Sequence, residues 1–164
     1  VTCGMGGIRY FPAFESCADL PALASLPVTL IATSPKDMLD IPATLQWLKE
    51  RNVVIIAVNG TACTGYIFNS TNVPVDSQNP HSILLTAPQG QLILQAIPPA
   101  ERLADLTILK KGTEAGIRAE RAGQDYHPAV NREIDLLTNG YSSQLQLNSL
   151  INNVRLAKTL LANG

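Results

Sequence analysis

The sequence predicts an α/β fold, with helices packed on a mostly parallel or mixed sheet. Two β-branched runs, VTLIA at 28–32 and VVIIAV at 53–58, are too short for helices. They also lack the alternation of a half-exposed strand, so they read as strands covered on both faces. Between them lies a segment with helical apolar spacing, the crossover that a parallel neighbour needs. Near the end of the chain, Leu147, Leu150, Ile151, Val154, Ala157 and Leu161 repeat at helical spacing.

Taken in order, VTCGMGGI reads as a short strand running into a glycine-rich loop. After the strand Val28–Ala32, Asp40 offers an N-cap and Pro42 falls in the first turn of a helix over Pro42–Glu50 carrying Leu45, Trp47 and Leu48. The strand Val53–Val58 ends at an Asn-Gly turn signal. Residues 59–80 are rich in Asn, Thr, Ser, Gly and Pro and read as a long loop, with one short strand around Tyr66–Phe68. A loop of that length is either functional or an irregular connector. A short helix over 82–86 competes with a strand there, and QLILQAI at 91–97 is the next strand, closed by Pro98-Pro99. Residues 100–122 read as helical, one helix or two depending on Gly112 and Gly116. A further helix starts at His127-Pro128, places Val130, Ile134 and Leu137 on one face, and stops at Asn139-Gly140. One domain over residues 1–164 is expected.

Composition narrows the function classes. Hydrophobic residues make up 46% and charged residues 15%, enough apolar side chain for a real core under a lightly charged surface. A net charge of −1, with no Lys/Arg run beyond two residues, is not the footprint of a nucleic-acid binder. The longest apolar run, Val53–Val58, is far short of a membrane span, and no secretory leader pattern opens the chain. Three cysteines, Cys3, Cys17 and Cys63, form no C-x-x-C pair, so neither a disulfide framework nor a zinc site is expected and an intracellular, reducing compartment is. The N-x-S/T matches at Asn59 and Asn69 carry no weight without secretion. The chain opens on Val1 in what reads as the middle of a fold, so a fragment or one piece of a split protein is expected.

Four features bear on chemistry. Gly4, Gly6 and Gly7 permit either a structural turn or an anion cradle. Lys36 stands at the carboxyl end of a strand, where open α/β sheets bind ligands. An amine partly withdrawn from water there can attack a carbonyl, but a solvated surface lysine fits the same position. Glu15, Cys17 and Asp19 cluster in FESCADL, either as carboxylates for a divalent cation or as the polar start of a short helix carrying Leu20 and Leu23. His81 and His127 have no partner at metal-ligand spacing and read as structural or solvent-facing.

In combination, these segments are more specific. TCGMGGI, then FESCADLPALASLPVTLIATSPKDMLDIPATLQWLKERNVVIIAV, then SLINNVRLAKTLL resemble the pseudouridine-5'-phosphate glycosidase family, which includes the indigoidine synthase A-like proteins. That family carries T-G-G-I-G-G-V, F-D-I-S-A-D-L, A-G-x-K-S-I-L-D-I-x-x-T-L-E-Y-L-E and, near its end, N-N-A-x-L-A. The resemblance covers only the carboxyl-terminal portion of the family and is thin between Asn59 and Asp125, where QAIPPAE stands for N-P-I-P-E-E.

The resemblance implies a three-layer α/β/α fold, here incomplete, in a trimer. It implies reversible cleavage of the C–C glycosidic bond between uracil and ribose 5-phosphate, with manganese or another divalent cation. The imine-forming lysine falls on Lys36. The metal-ligand aspartate falls on Glu15. The substrate-binding positions fall on Thr2, Arg9 (a histidine in the family), Cys17 (a serine), Ala18, Asp19 and Gln146 (an asparagine). The family's glutamate proton donor and second substrate-binding lysine belong to its amino-terminal half and have no counterpart here. Two readings follow. In one the chain is the lysine-bearing part of a glycosidase-like enzyme completed by a missing segment or a second chain. In the other it is a catalytically degenerate relative serving as a structural subunit. A third, a small-molecule-binding domain, predicts ribose phosphate binding without a covalent adduct. A sheet lacking the family's first strands would expose apolar surface, so association is expected.

Overall fold

The computed structural model of the chain describes residues 1–10, 15–58, 60–79, 83 and 89–162. The elements run β1 (Gly4–Met5), β2 (Ile8–Arg9), β3 (Glu15–Ser16), α1 (Asp19–Ser25), β4 (Thr29–Ala32), β5 (Ser34–Pro35), α2 (Ile41–Lys49), β6 (Val54–Ala57), β7 (Ala62–Cys63), β8 (Val73–Pro74), β9 (Asp76–Ser77), β10 (Gln91–Leu94), α3 (Leu106–Arg121), α4 (Tyr126–Leu137) and α5 (Tyr141–Ala162).

The main sheet is parallel throughout, in the order β4-β10-β6-β9. Its central strand β10 sets Leu92 beside Leu30 on one side and Ile55 on the other. At the carboxyl end, β4 continues through Thr33 into β5, and β1 lies parallel beside it. Thr2 N–H donates to Ile31 O at 2.9 Å, Thr33 N–H to Cys3 O at 2.8 Å and Lys36 N–H to Met5 O at 3.1 Å. The first residues of the chain are thus stitched along the strand that delivers Lys36.

Side-chain alternation sorts the core into two layers. Ile31, Ile56 and Ile93 pack with Leu156 and Leu160 of α5. Ala32, Ile55, Ala57, Leu92 and Leu94 belong to the opposite core, with Leu20 and Leu23 of α1 and Ile41, Leu45 and Leu48 of α2. Full burial of each Leu or Ile is worth about 1.5–3 kcal/mol, so both faces of the sheet must be covered. The result is the expected three-layer α/β/α arrangement. A further apolar cluster lies beyond the sheet, where Tyr66, Ile67, Phe68 and Ile97 meet Tyr126, Val130 and Ile134 of α4 and Leu145 of α5.

Local chemistry fixes several boundaries. Asp40 Oδ1 accepts Ala43 N–H at 2.9 Å and caps α2, with Pro42 in its first turn; such a cap contributes about 1 kcal/mol. Asn139 (φ 50°) and Gly140 (φ 83°) end α4 in the left-handed region.

Gly112 and Gly116 do not split α3, which is one helix. A Cβ at Gly116 would sit 2.5 Å from Val130 Cγ2 and 2.7 Å from the Tyr126 ring, and one at Gly112 would sit 2.7 Å from Ile134 Cγ1. The glycines let α4 approach. Tyr66–Phe68 form no strand, because their three N–H groups turn inward to one carboxylate, and the long loop instead contains the two-residue strands β7, β8 and β9.

The face expected to be buried on α5 is not the one the fold buries. Leu147, Ile151, Val154 and Leu161 are exposed, while Ser142, Leu145, Ser149, Asn153, Leu156 and Leu160 face inward. The helix has apolar residues on two sides, and its buried polar residues are chosen for hydrogen bonding: Asn153 Nδ2 donates to Thr2 O at 2.7 Å and Ser142 Oγ to Asp135 Oδ1 at 2.9 Å. Leu137 is also partly exposed. His81, Asn59 and residues 82 and 84–86 lie outside the described residues, while Ile83 is buried in the cluster of Ile31, Ile56 and Ile93. Among the described residues, no helix is long and apolar enough to cross a membrane.

Candidate active site

Lys36 leaves the end of β5 half-buried, where the carboxyl ends of the parallel strands gather. A Cβ on Gly4 would lie 3.0 Å from Lys36 Cγ and 2.8 Å from Tyr66 Cε1. The lysine stem and the tyrosine ring therefore close over a bare stretch of β1, which only glycine permits.

The glycine segment has no positive-φ residue; its glycines serve close packing. A side chain on Gly6 would collide with Cys17, and one on Gly7 would lie 2.6 Å from Thr44 Oγ1. Gly6 N–H donates to Asp19 Oδ2 at 3.0 Å and Ile8 N–H to Thr44 Oγ1 at 2.9 Å. Those donors are satisfied by protein acceptors, so the segment packs as structure rather than as an open anion cradle.

Around this floor stand the other expected positions. Thr2 contributes its main chain, held by Ile31 and Asn153. Cys17 N–H donates to Gly7 O at 3.1 Å, and burial pushes its thiol pKa up while the charge of Lys36 pulls it back. Ala18 is the N-cap residue of α1 and Asp19 its first residue. Leu20 and Leu23 are buried as expected for that helix. Gln146 sits half-buried on α5, two turns before Asn153, on the part of the helix that reaches past the sheet's carboxyl end.

Arg9 and Glu15 pair with each other. Arg9 Nη2 lies 2.6 Å from Glu15 Oε2, and the same guanidinium meets Glu120 Oε1 at 2.7 Å and Oε2 at 3.0 Å. Its plane also lies 4.1 Å from the Tyr126 ring centroid. The two carboxylates hold Arg9 firmly protonated, and Arg9 lowers the pKa of Glu120. Among the described residues, no three His, Cys, Asp or Glu side chains gather to hold a cation. With its carboxylate on Arg9, Glu15 does not fit a resident manganese ion as the side chains stand.

Residues without a mark in the spacing complete the site. Asp37, next to Lys36, accepts N–H from Tyr66, Ile67 and Phe68 at 2.8, 2.8 and 3.1 Å and the Ser70 hydroxyl at 2.6 Å. Burial pushes the Asp37 carboxyl up, and these four donors pull it down. Among the described residues Tyr66 Oη is buried without a hydrogen-bond partner, and its pKa is raised by burial. His127 Nε2 is likewise buried and unpartnered. Burial lowers the His127 pKa first, and Lys36 lowers it further, which places the imidazole within the field of the lysine. A carboxylate beside a candidate lysine was the one signal available for Asp37. His127 and Tyr66 reach the site only through the packing of α4 and the long loop.

Residues 1–162 match the profile of the family described as indigoidine synthase A like protein. The chain belongs to that family. Family members similar to it include pseudouridine-5'-phosphate glycosidases of Paracoccus denitrificans, 28% identical over 98% of this chain, and of Roseobacter denitrificans, 31% identical over 99%. It spans 58% and 59% of those proteins' lengths. The fold is shared with the prealnumycin C-glycosynthase AlnA, solved in complex with ribulose 5-phosphate (TM-score 0.80, 16% identity, 99% of this chain and 58% of that one). It is shared also with an indigoidine synthase A-like protein of Thermotoga maritima (TM-score 0.79, 19% identity, 97% and 56%). The family fold is therefore present here in part.

Proposed function

We propose that this chain is the lysine-bearing part of a pseudouridine-5'-phosphate glycosidase-like enzyme, acting on the C–C bond between uracil and ribose 5-phosphate. The observation that supports this reading is the seat of Lys36, at the carboxyl end of a parallel sheet, its stem packed over Gly4 as the Tyr66 ring is.

The chemistry balances on that amine. In the synthetic direction Lys36 Nζ adds to the C1 aldehyde of open-chain ribose 5-phosphate, water leaves, and C5 of uracil adds to the resulting imine carbon with loss of its proton. The C4 hydroxyl then closes on C1, forming the ring C–O bond as the C1–Nζ bond breaks and the amine departs with the hydroxyl proton. In the cleavage direction Lys36 Nζ bonds to C1 as the C1–O bond of the sugar ring breaks and the ring oxygen takes a proton. The C1–C5 bond then breaks with its electron pair passing to the uracil ring, which is protonated at C5, while the nitrogen lone pair forms the imine. Water then hydrolyses the imine, freeing amine and aldehyde. The covalent adduct divides one difficult step into easier ones. Turnover needs a proton donor, which the resemblance assigns to a segment or partner chain beyond these residues, and a trimeric assembly is part of the same reading.

A second reading, a structural subunit without catalysis, is favoured by one observation. Arg9 and Glu15, at the expected substrate-binding and metal positions, pair with one another. Intact-mass spectrometry after incubation with ribose 5-phosphate and borohydride separates the two. A reduced adduct in wild type, absent in Lys36→Ala, supports the enzyme. No adduct from folded protein, with any co-purifying chain present, overturns it in favour of the structural subunit.

A further inference from the structure

Among the described residues, Arg102 is a buried cation, 6% exposed, with no carboxylate at ion-pair distance. Nε donates to Ile97 O at 2.8 Å, and Nη1 donates to Thr64 Oγ1 at 2.8 Å and more weakly to Phe68 O at 3.5 Å. Nη2 makes no hydrogen bond among the described residues. Asp37, whose field reaches Arg102, has its own oxygens committed to four donors. A buried charge balanced only by neutral groups is costly, and an arginine fork with a free edge is suited to an oxyanion.

The free edge faces a built recess. A cleft of about 490 Å³ at the carboxyl ends of β6 and β10 is lined by Gly60, Thr61, Thr64, Pro98, Pro99 and Arg102. Thr64 Oγ1 accepts from Arg102, so its hydroxyl hydrogen remains available to a ligand. The Thr61 hydroxyl makes no hydrogen bond among the described residues, while the Thr61 carbonyl takes Val75 N–H at 3.0 Å. The prolines and Ala62 give the recess apolar sides. One guanidinium and two hydroxyls converging on an apolar-walled recess at the ligand-binding end of a parallel sheet suit a tetrahedral oxyanion.

The geometry points to a phosphate-binding site at Arg102, Thr61 and Thr64, separate from Lys36 and divided from it by the loop that Asp37 holds. This site stands whether or not Lys36 forms an imine. Isothermal titration of inorganic phosphate into the folded chain tests it. Wild type and Lys36→Ala bind phosphate alike, Thr61→Val binds several-fold more weakly, and Arg102→Gln loses at least tenfold. Circular dichroism accompanies Arg102→Gln, since that change could loosen the 64–68 loop; Thr61→Val, at the exposed mouth, keeps the test open if it does. Ribose 5-phosphate competing with phosphate in wild type assigns the recess to a sugar-phosphate terminus, and phosphate binding without competition assigns it to the free ion. No phosphate binding at millimolar concentration by folded wild type, or equal binding by Thr61→Val and folded Arg102→Gln, overturns the proposal.

Discussion

The carboxylate of Asp37 accepts the backbone N–H of Tyr66 at 2.8 Å, and through it the residue next to Lys36 sets the loop that covers Lys36. Asp37→Asn removes the charge that answers four donors. We expect a loss of about 2–3 kcal/mol in urea unfolding, on the scale of hydrogen bonds to a charged group. A midpoint unchanged from wild type would refute the assignment of Asp37 as the anchor of this loop.

Lys36 and His127 share one electrostatic environment. The His127 imidazole is held below its ordinary value of 6.5, first by burial and then by Lys36. A base with a depressed folded-state pKa destabilises the fold as pH falls from the unfolded value through the folded one, because the unfolded chain takes the proton first. An NMR titration assigned with His127→Gln should show the depressed value, and Lys36→Met should raise it. No change in Lys36→Met would place the lysine amine away from His127.

The Arg9 clamp carries a pH dependence of the opposite origin. Arg9 lowers the Glu120 pKa from its ordinary 4.5, so this pair's stabilising effect is complete above that value and is lost as pH falls through the folded-state pKa. Urea midpoints between about pH 6 and about pH 3 should fall less steeply in Glu120→Gln than in wild type. Parallel profiles would show that the clamp adds nothing to stability.

Gly116 tests the packing of α3 on α4. Alanine favours a helix by about 1 kcal/mol over glycine. Here its Cβ would fall 2.5 Å from Val130 Cγ2, and overpacking costs about 1–3 kcal/mol. Gly116→Ala should therefore lower the unfolding midpoint, whereas a stabilised variant would mean that the two helices are free to separate.

The exposed stripe of α5 bears on behaviour in solution. Leu147 is 58%, Val154 53% and Leu161 72% exposed. Contiguous apolar surface of this kind promotes association. Sedimentation should show concentration-dependent association that weakens in Leu147→Glu/Val154→Glu; a wild-type chain that stays monomeric at high concentration contradicts this.

The strands around Ile31 and Ile56 were legible because burial on both faces leaves an unbroken apolar run, and α2 because Asp40 and Pro42 mark its start locally. Lys36 was legible as a candidate because its place follows from the strand before it and the cap after it. The sequence by itself thus determined β4, α2, β6, the start of β10 and the position of the lysine, all of which depend on neighbours within a few residues. Only the tertiary structure decided which face of α5 is buried, since that turns on Asn153 reaching Thr2 across the whole chain. It also decided that Glu15 answers Arg9 and that Arg102 is buried with no ion-pair partner among the described residues. Those outcomes rest on contacts between distant segments, for which spacing along one chain carries no signal.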